Sequence, residues 1–406
     1  MKTEERILRE IDTIAPDHIR ALQKMIQISS VNPPGDYAGI GDFVSGYIRD
    51  SGLRATKVHI PDKLCQRRGL LASRVNVLGQ VGRHSRPNLV LNAHLDTVPA
   101  GDASRWKVDP FAGKIMRGHI FGRGACDSKG RLACYIMAAS AVARSKLPLR
   151  GSVTVAATID EEIFGDLGVA FLLNKRYLTP DYAIVEGYEN AITYAQNGLL
   201  HLRAQTKGMS GHASRPSTGR NAIEDMASFI MALQKYRNKL AATKSAIEGL
   251  GSSRVSVGTI NGGVRSNIIP ESCSAELDIR VIPEHDVNFI YRKIERLAKS
   301  RSAKVSLSVL AKSDPVVCQK KSRLLDALQY SAHRVAGKRL PLRGLPAYTD
   351  MRHFAGLGVT SACYGPGDPF SSNVHGANEN ISLASLVKCS KIVALTIMHL
   401  LGQNES

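Results

Sequence analysis

Residues 86–132 read RPNLVLNAHLDTVPAGDASRWKVDPFAGKIMRGHIFGRGACDSKGRL. The apolar run Asn88 to Ala93 is short and bounded, as expected of a buried strand. It ends in His94 and Asp96, two positions apart and therefore on the same side of an extended chain. After a loop, Gly122 to Gly124 delivers Asp127 to the start of an apolar helix. Strand ends and helix starts are the rigid positions from which a catalytic site can hold metal ligands.

Upstream of this stretch, helices are expected over 17–29 and 36–51, separated by the turn signal Asn32-Pro33-Pro34-Gly35. A strand-like run covers 70–81. Downstream, a helix over 129–145, a strand over 152–159, a helix over 167–176 and a strand over 182–185 continue the pattern. Strands alternating with helices indicate an α/β sheet, in which sites gather at the carboxyl ends of the strands. From residue 196 the rhythm changes. A strand over 198–206, a helix over 220–240, strands over 254–261 and 272–281, a helix over 285–300 and a strand over 305–310 form the β-α-β-β-α-β pattern of a small independent sandwich. The first rhythm then returns, with helices over 321–336 and 350–356, a strand over 358–364 and a last helix from 382. This predicts one discontinuous catalytic domain, 1–195 and 311–406, with a second domain inserted at 196–310.

At 406 residues with 43% hydrophobic content, the chain has the length and composition of a two-domain soluble protein. Its opening residues MKTEERILREIDTIAPDHIR carry charge throughout and lack the apolar core of a secretory signal. The most apolar segment, 381–401, is interrupted by Lys388 and Lys391 and repeats with helical period, so an amphipathic helix is expected there and not a membrane span. Seven cysteines without paired spacing suit a reducing compartment, and the expected location is the cytoplasm. The net charge of +19 raises the question of a polyanionic partner. Lys and Arg are spread along the whole chain without a basic tail, and aromatics make up only 5%, which disfavours nucleic acid.

Acids and imidazoles recur just after the apolar runs: His94 and Asp96, the pair Glu161-Glu162, Glu186, and His375 in the loop after VTSACYGPG. Asp127 opens a helix instead. One such residue reads as a cap or a surface group; the repetition points to a site. Two histidines with carboxylates are a donor set for borderline-soft divalent ions and not for calcium or magnesium. Two ions sharing one bridging carboxylate would use two histidines, one bridging acid and two terminal acids. One member of the Glu pair would remain to act as general base. The histidines at 18, 59, 84, 119, 201, 285, 333, 353 and 399 lack this context and are read as surface or structural.

The ordered set His94-Leu95-Asp96, Gly122 to Gly130, Asp160-Glu161-Glu162, Glu186 and His375 to Glu379 resembles the di-zinc family of acetylornithine deacetylase, succinyl-diaminopimelate desuccinylase, carboxypeptidase G and aminoacylase. The resemblance spans essentially the whole chain. It implies a zinc-exopeptidase-like α/β catalytic domain, a mixed central sheet flanked by helices, with an inserted α+β ferredoxin-like lid and dimerisation domain. It implies two divalent ions, Zn2+ with Co2+ as a substitute, held by His94 and Glu186 on one side, Glu162 and His375 on the other, and Asp127 between them. Asp96 is expected to orient His94, and Glu161 to be the general base. In the insert, His212 would support the oxyanion from a partner subunit. Asn267 and Arg280 would grip a substrate carboxylate, although Arg280 on a strand could equally make a structural ion pair. Gly365, with Pro366 and Gly367, would shape the substrate cavity. The chain departs from the resemblance at Gly187, where proline is common, and at Ser128, where methionine is common. A glutamate at 186 accompanies deacylases and carboxypeptidases more often than aminopeptidases. The expected activity is hydrolysis of an N-acyl amino acid that carries a free carboxylate, by a homodimer joined through the insert. A carboxypeptidase or dipeptidase is the alternative within the fold, and a basic nucleic-acid-binding protein on a relict hydrolase fold is the alternative outside it.

Overall fold

The apolar run of the quoted stretch forms a strand, Asn88–His94, in which every residue is buried. The computed structural model describes residues 3–71, 73–82, 86–299 and 305–403; His84 lies outside them. The strand sits inside a mixed sheet. Ser152–Thr158, Asn88–His94, Tyr182–Val185 and Thr360–Cys363 are neighbours in that order and run parallel. Val75–Gly82 and then Arg54–His59 extend the sheet antiparallel at one edge, and Ile192–Gln196 pairs antiparallel with Thr360–Cys363 at the other. Buried parallel strands carry continuous apolar runs, which is why these segments are legible as sequence.

The helix expected over 129–145 is Lys129–Ser145 and is buried along nearly its whole length. It packs against the strands Asn88–His94 and Ser152–Thr158 and against the helices Thr3–Gln27 and Leu383–Leu401. The first helix begins at Thr3 and not near residue 17. Ile7, Ile11, Ile14, His18, Leu22 and Met25 line its buried face at helical spacing, and Pro16 is accommodated inside it. Several short features escape the sequence, among them the helix Asp62–Arg67 and the strands Ile192–Gln196 and Leu342–Leu345. The edge strand Arg54–His59 is mostly exposed and polar, and the strands Lys114–Met116 and His119–Phe121 join Asn380–Ser382 in a small three-stranded sheet. The last helix, Leu383–Leu401, is long and apolar enough to cross a membrane, but 61% of its most apolar stretch is buried inside the protein. Its buried residues occupy most of its circumference, so it is a core helix and not an amphipathic surface one.

The chain divides into two compact units, Met1–Tyr194 with Cys318–Leu342 and Thr349–Ser406, and Ala195–Val317 with Arg343–Tyr348. Residues 343–348, read in sequence as part of the returning domain, group with the second unit. In that unit the sheet order is Arg254–Gly262, Ser272–Val281, Gly198–Lys207, Val305–Ser313, with every pairing antiparallel. Strands one to four of the β-α-β-β-α-β sequence therefore lie in the order 2-3-1-4 of a ferredoxin-like sandwich. Ser272–Val281 alternates buried and half-open residues along its length, because one face meets the helices Ala222–Ala242 and Val287–Lys299. Phe229, Leu233, Ile290 and Ile294 from those helices meet Leu277 and Ile279 in its core.

Candidate metal centre

His94 is the last residue of its strand, paired in register with Thr158, the last residue of the neighbouring strand. Glu161 and Glu162 follow in a 3-10 turn, Glu161–Ile163, and Glu186 follows Val185 at the end of the third parallel strand. The carboxyl ends of three adjacent strands thus bring four of the predicted residues together. Asp127 reaches them from the turn before Lys129–Ser145. His94 Nε2 lies 3.2 Å from Asp127 Oδ1, and His375 Nε2 lies 3.3 Å from Asp127 Oδ2 and 3.0 Å from Glu162 Oε1. His94, Asp127 and Glu162 present donor atoms within 4.8 Å of one another. Glu186 is buried beside them, and among the described residues neither of its carboxylate oxygens has a hydrogen-bond partner. Two imidazoles, shared carboxylates and a buried orphaned acid are the donor chemistry of a borderline-soft divalent ion, so these residues fit a metal centre.

The centre gathers buried acids around two imidazoles. Burial pushes Glu161 well above the usual carboxylate range; neighbouring acids, Asp350 first, add to this and His94 opposes it. Burial raises Glu186 to about 8. For His94 burial works the other way, but the carboxylates of Asp127 and Asp96 outweigh it and hold the imidazole well above its ordinary range. Hydrogen bonds to Asp127 and Glu162 raise His375 to about 10. Asp127 stays well below the carboxylate range despite burial, because of Arg131 and then the two histidines.

Asp96 is buried, with Oδ1 3.5 Å from His94 Nδ1. The closer partner of that nitrogen is the Asp96 backbone carbonyl, at 2.9 Å. The Asp96 carboxylate also accepts the backbone N–H groups of Glu161 and Glu162, at 3.3 and 3.1 Å. One aspartate therefore ties the strand-end histidine to the turn that carries the glutamates.

Four residues at this centre were given no role from the sequence. Glu379 is fully buried and accepts the backbone N–H groups of Gly124, Cys126 and Asp127 and the guanidinium of Arg123, so it shapes the loop that aims Asp127. Arg131 donates to Asp127 Oδ1 at 2.7 Å. Asp160, with positive φ, accepts Tyr37 Oη, Asn32 Nδ2 and Arg74 Nε and so anchors the turn preceding Glu161. Asp350 is buried, and burial raises it to about 6. Asp160 and Glu379 stand inside the quoted motifs without an assigned role, and Arg131 follows Asp127 by four residues, the spacing of a helical pair.

Gly365 is buried, and a Cβ there would meet Gly187 O at 3.3 Å and the Arg131 stem at 3.4 Å. It packs against the interior of the unit. His212, Asn267 and Arg280 belong to the second unit. His212 Nδ1 accepts the N–H of Ser214 in an exposed loop, and the Asn267 carbonyl accepts the N–H of Ala213. Arg280 makes a bidentate pair with Asp278, both contacts at 2.9 Å, and stacks on Tyr348; this is the structural ion pair that the sequence left open.

The model of peptidase family M20/M25/M40 matches residues 90–399, from the strand carrying His94 to the last helix. The chain belongs to this family. It is a metal-dependent amidohydrolase. A succinyl-diaminopimelate desuccinylase from Ehrlichia canis is 26% identical over 305 residues, covering 72% of this chain and 76% of the relative. In fold, the chain is similar to the di-peptidase Dug1p from Saccharomyces cerevisiae, with TM-score 0.81 and 16% identity over 98% of this chain and 99% of that one. It is also similar to an M20 family metallo-carboxypeptidase from Sulfolobus solfataricus, with TM-score 0.77 and 19% identity over 94% and 98%.

Proposed function

We propose that this family member hydrolyses the amide of an N-acyl amino acid, with zinc held by His94 and Glu186 and by Glu162 and His375, and Asp127 shared. The observation that carries this reading is the convergence of His94, Asp127 and Glu162 donor atoms beside Glu186, a buried carboxylate with no hydrogen-bond partner among the described residues. When bound, the ions supply Lewis acidity that acidifies water and stabilises negative charge on the scissile carbonyl oxygen. Glu161 is the general base. Its carboxylate accepts a proton from the attacking water and returns it to the amine nitrogen as the C–N bond breaks. Asp96 holds His94 and the turn bearing Glu161 in one arrangement. By the family resemblance, His212 supports the oxyanion in the active site of the partner subunit, and Asn267 and the donors of Arg280 not used by Asp278 grip the substrate carboxylate.

The substrate is a small molecule with a free carboxylate, the enzyme a cytoplasmic homodimer joined through the second unit. Support for a deacylase comes from the desuccinylase relative. The dipeptidase and carboxypeptidase of similar fold favour the second reading, an exopeptidase. Release of amine from N-acetylornithine, N-succinyl-diaminopimelate, dipeptides and C-terminal glutamate substrates, with zinc- or cobalt-loaded protein, separates the two. A Glu161→Ala protein with full activity would overturn the mechanism, and salt-sensitive RNA binding without metal-dependent turnover would favour the nucleic-acid alternative.

A further inference from the structure

We infer that Arg131 is the resident counter-cation of the metal centre: it positions Asp127 for bridging and restrains how tightly divalent ions are held. This rests on the metal-centre reading above. Arg131 rises from the first turn of Lys129–Ser145, and its guanidinium is almost wholly buried. Nη1 donates to Asp127 Oδ1 at 2.7 Å, closer than His94 Nε2, which approaches the same oxygen at 3.2 Å. The opposite oxygen, Oδ2, faces His375. Arg131 thus fixes the plane of the one carboxylate placed between the two histidines.

The rest of the guanidinium is committed to the site without being saturated. Nη2 lies 3.7 Å from Cys126 Sγ, Cζ sits 4.8 Å from the centroid of the Tyr188 ring, and Nε is buried without a hydrogen-bond partner among the described residues. The stem is confined beside Gly365 and Tyr135, so swinging away would require rearrangement of a packed interior. An imidazole can give up its proton to become a ligand, whereas a guanidinium keeps its charge throughout. Arg131 consequently remains a cation beside any ions that bind. It stabilises the metal-free cluster of Asp127 and Glu186, and by linkage whatever favours the metal-free state weakens ion binding.

The test compares wild type with R131M and R131Q, which are neutral, and R131K, which keeps the charge. Chelator-treated proteins are titrated with Zn2+ in competition with a chromophoric chelator and with Co2+ by visible absorption, and their melting temperatures are read with and without metal. The neutral variants are expected to bind Zn2+ roughly tenfold more tightly, the order of one charge-assisted hydrogen bond. Their metal-free forms should melt lower, and their Co2+ absorption bands should shift as Asp127 reorients. R131K should return affinity and spectrum towards wild type. Glutamine preserves a donor and much of the side-chain volume, so R131Q decides the matter if R131M does not fold. Unchanged or weaker Zn2+ affinity in the neutral variants, with wild type binding zinc, overturns the role of Arg131 alone. Failure of wild type to bind Zn2+ or Co2+ at all overturns the metal-centre reading as well.

Discussion

Glu161 carries the proposed proton transfer, and its environment is specific to that task. It is buried, raised by desolvation, and attached through its backbone to Asp96, whereas its neighbour Glu162 faces His375. Glu161→Gln is expected to lower kcat by about 10²- to 10⁴-fold, the usual yield of a positioned base. Zn2+ binding measured by calorimetry should be retained, because the proposed ligands are untouched. Two of the proposed ligands also predict a pH dependence. Glu186 is raised from 4.5 to about 8 and His375 from 6.5 to about 10, so the folded metal-free protein holds protons that the unfolded chain has released. Their contribution to stability is complete below the unfolded values and is lost as pH rises through the folded ones. Melting of chelator-treated protein should therefore fall across that window. Ions compete with the same protons, so Zn2+ affinity should rise with pH and binding should release protons, measured by calorimetry in buffers of different ionisation enthalpy.

The elements carrying the site are held by buried polar contacts between segments distant in sequence. Asp160, at the start of the Glu161–Ile163 turn, binds the fully buried Arg74 at 2.9 Å, with Tyr37 and Asn32 completing its shell. Asp160→Ala would leave a guanidinium buried without a counter-charge, a change that costs about 3–5 kcal/mol in comparable pairs. Urea unfolding should read that loss, and activity should fall with it because the turn loses its anchor. Gly187 explains one departure from the expected pattern. A Cβ at this position would lie 2.6 Å from the backbone nitrogen of Tyr364 on the adjoining strand exit, so the strand bearing Glu186 passes too close for a side chain. Gly187→Ala is expected to destabilise by roughly 1–3 kcal/mol, the usual cost of overpacking, measured by the same unfolding experiment. At this scale the sequence was most legible where strands are buried on both faces, as at Tyr182–Val185, and least legible at the exposed edge strand Arg54–His59, whose polar residues carry no pattern.

For the whole molecule, metal removal is the broadest test: a chelator should abolish amide hydrolysis and lower the melting temperature, and Zn2+ or Co2+ should restore both. Light scattering is expected to give twice the chain mass if the second unit mediates the proposed dimer. The sequence by itself determined the alternation of helix and strand, the ferredoxin-like pattern of the insert and the candidate set His94, Asp96, Asp127, Glu161, Glu162, Glu186 and His375, whose division into ligands and base came only from the family resemblance. These are legible because burial periodicity and strand-end placement are local properties of the chain. Tertiary structure decided the rest. It identified the Asp96 carbonyl as the nearer partner of His94, and it enlisted Glu379, Asp160 and Arg131 to hold the loops. It also showed Arg280 engaged by Asp278. Those roles depend on distances between segments far apart in the chain, such as Glu379 with Asp127, and a buried charge shows its partner only once the fold has excluded water from around it.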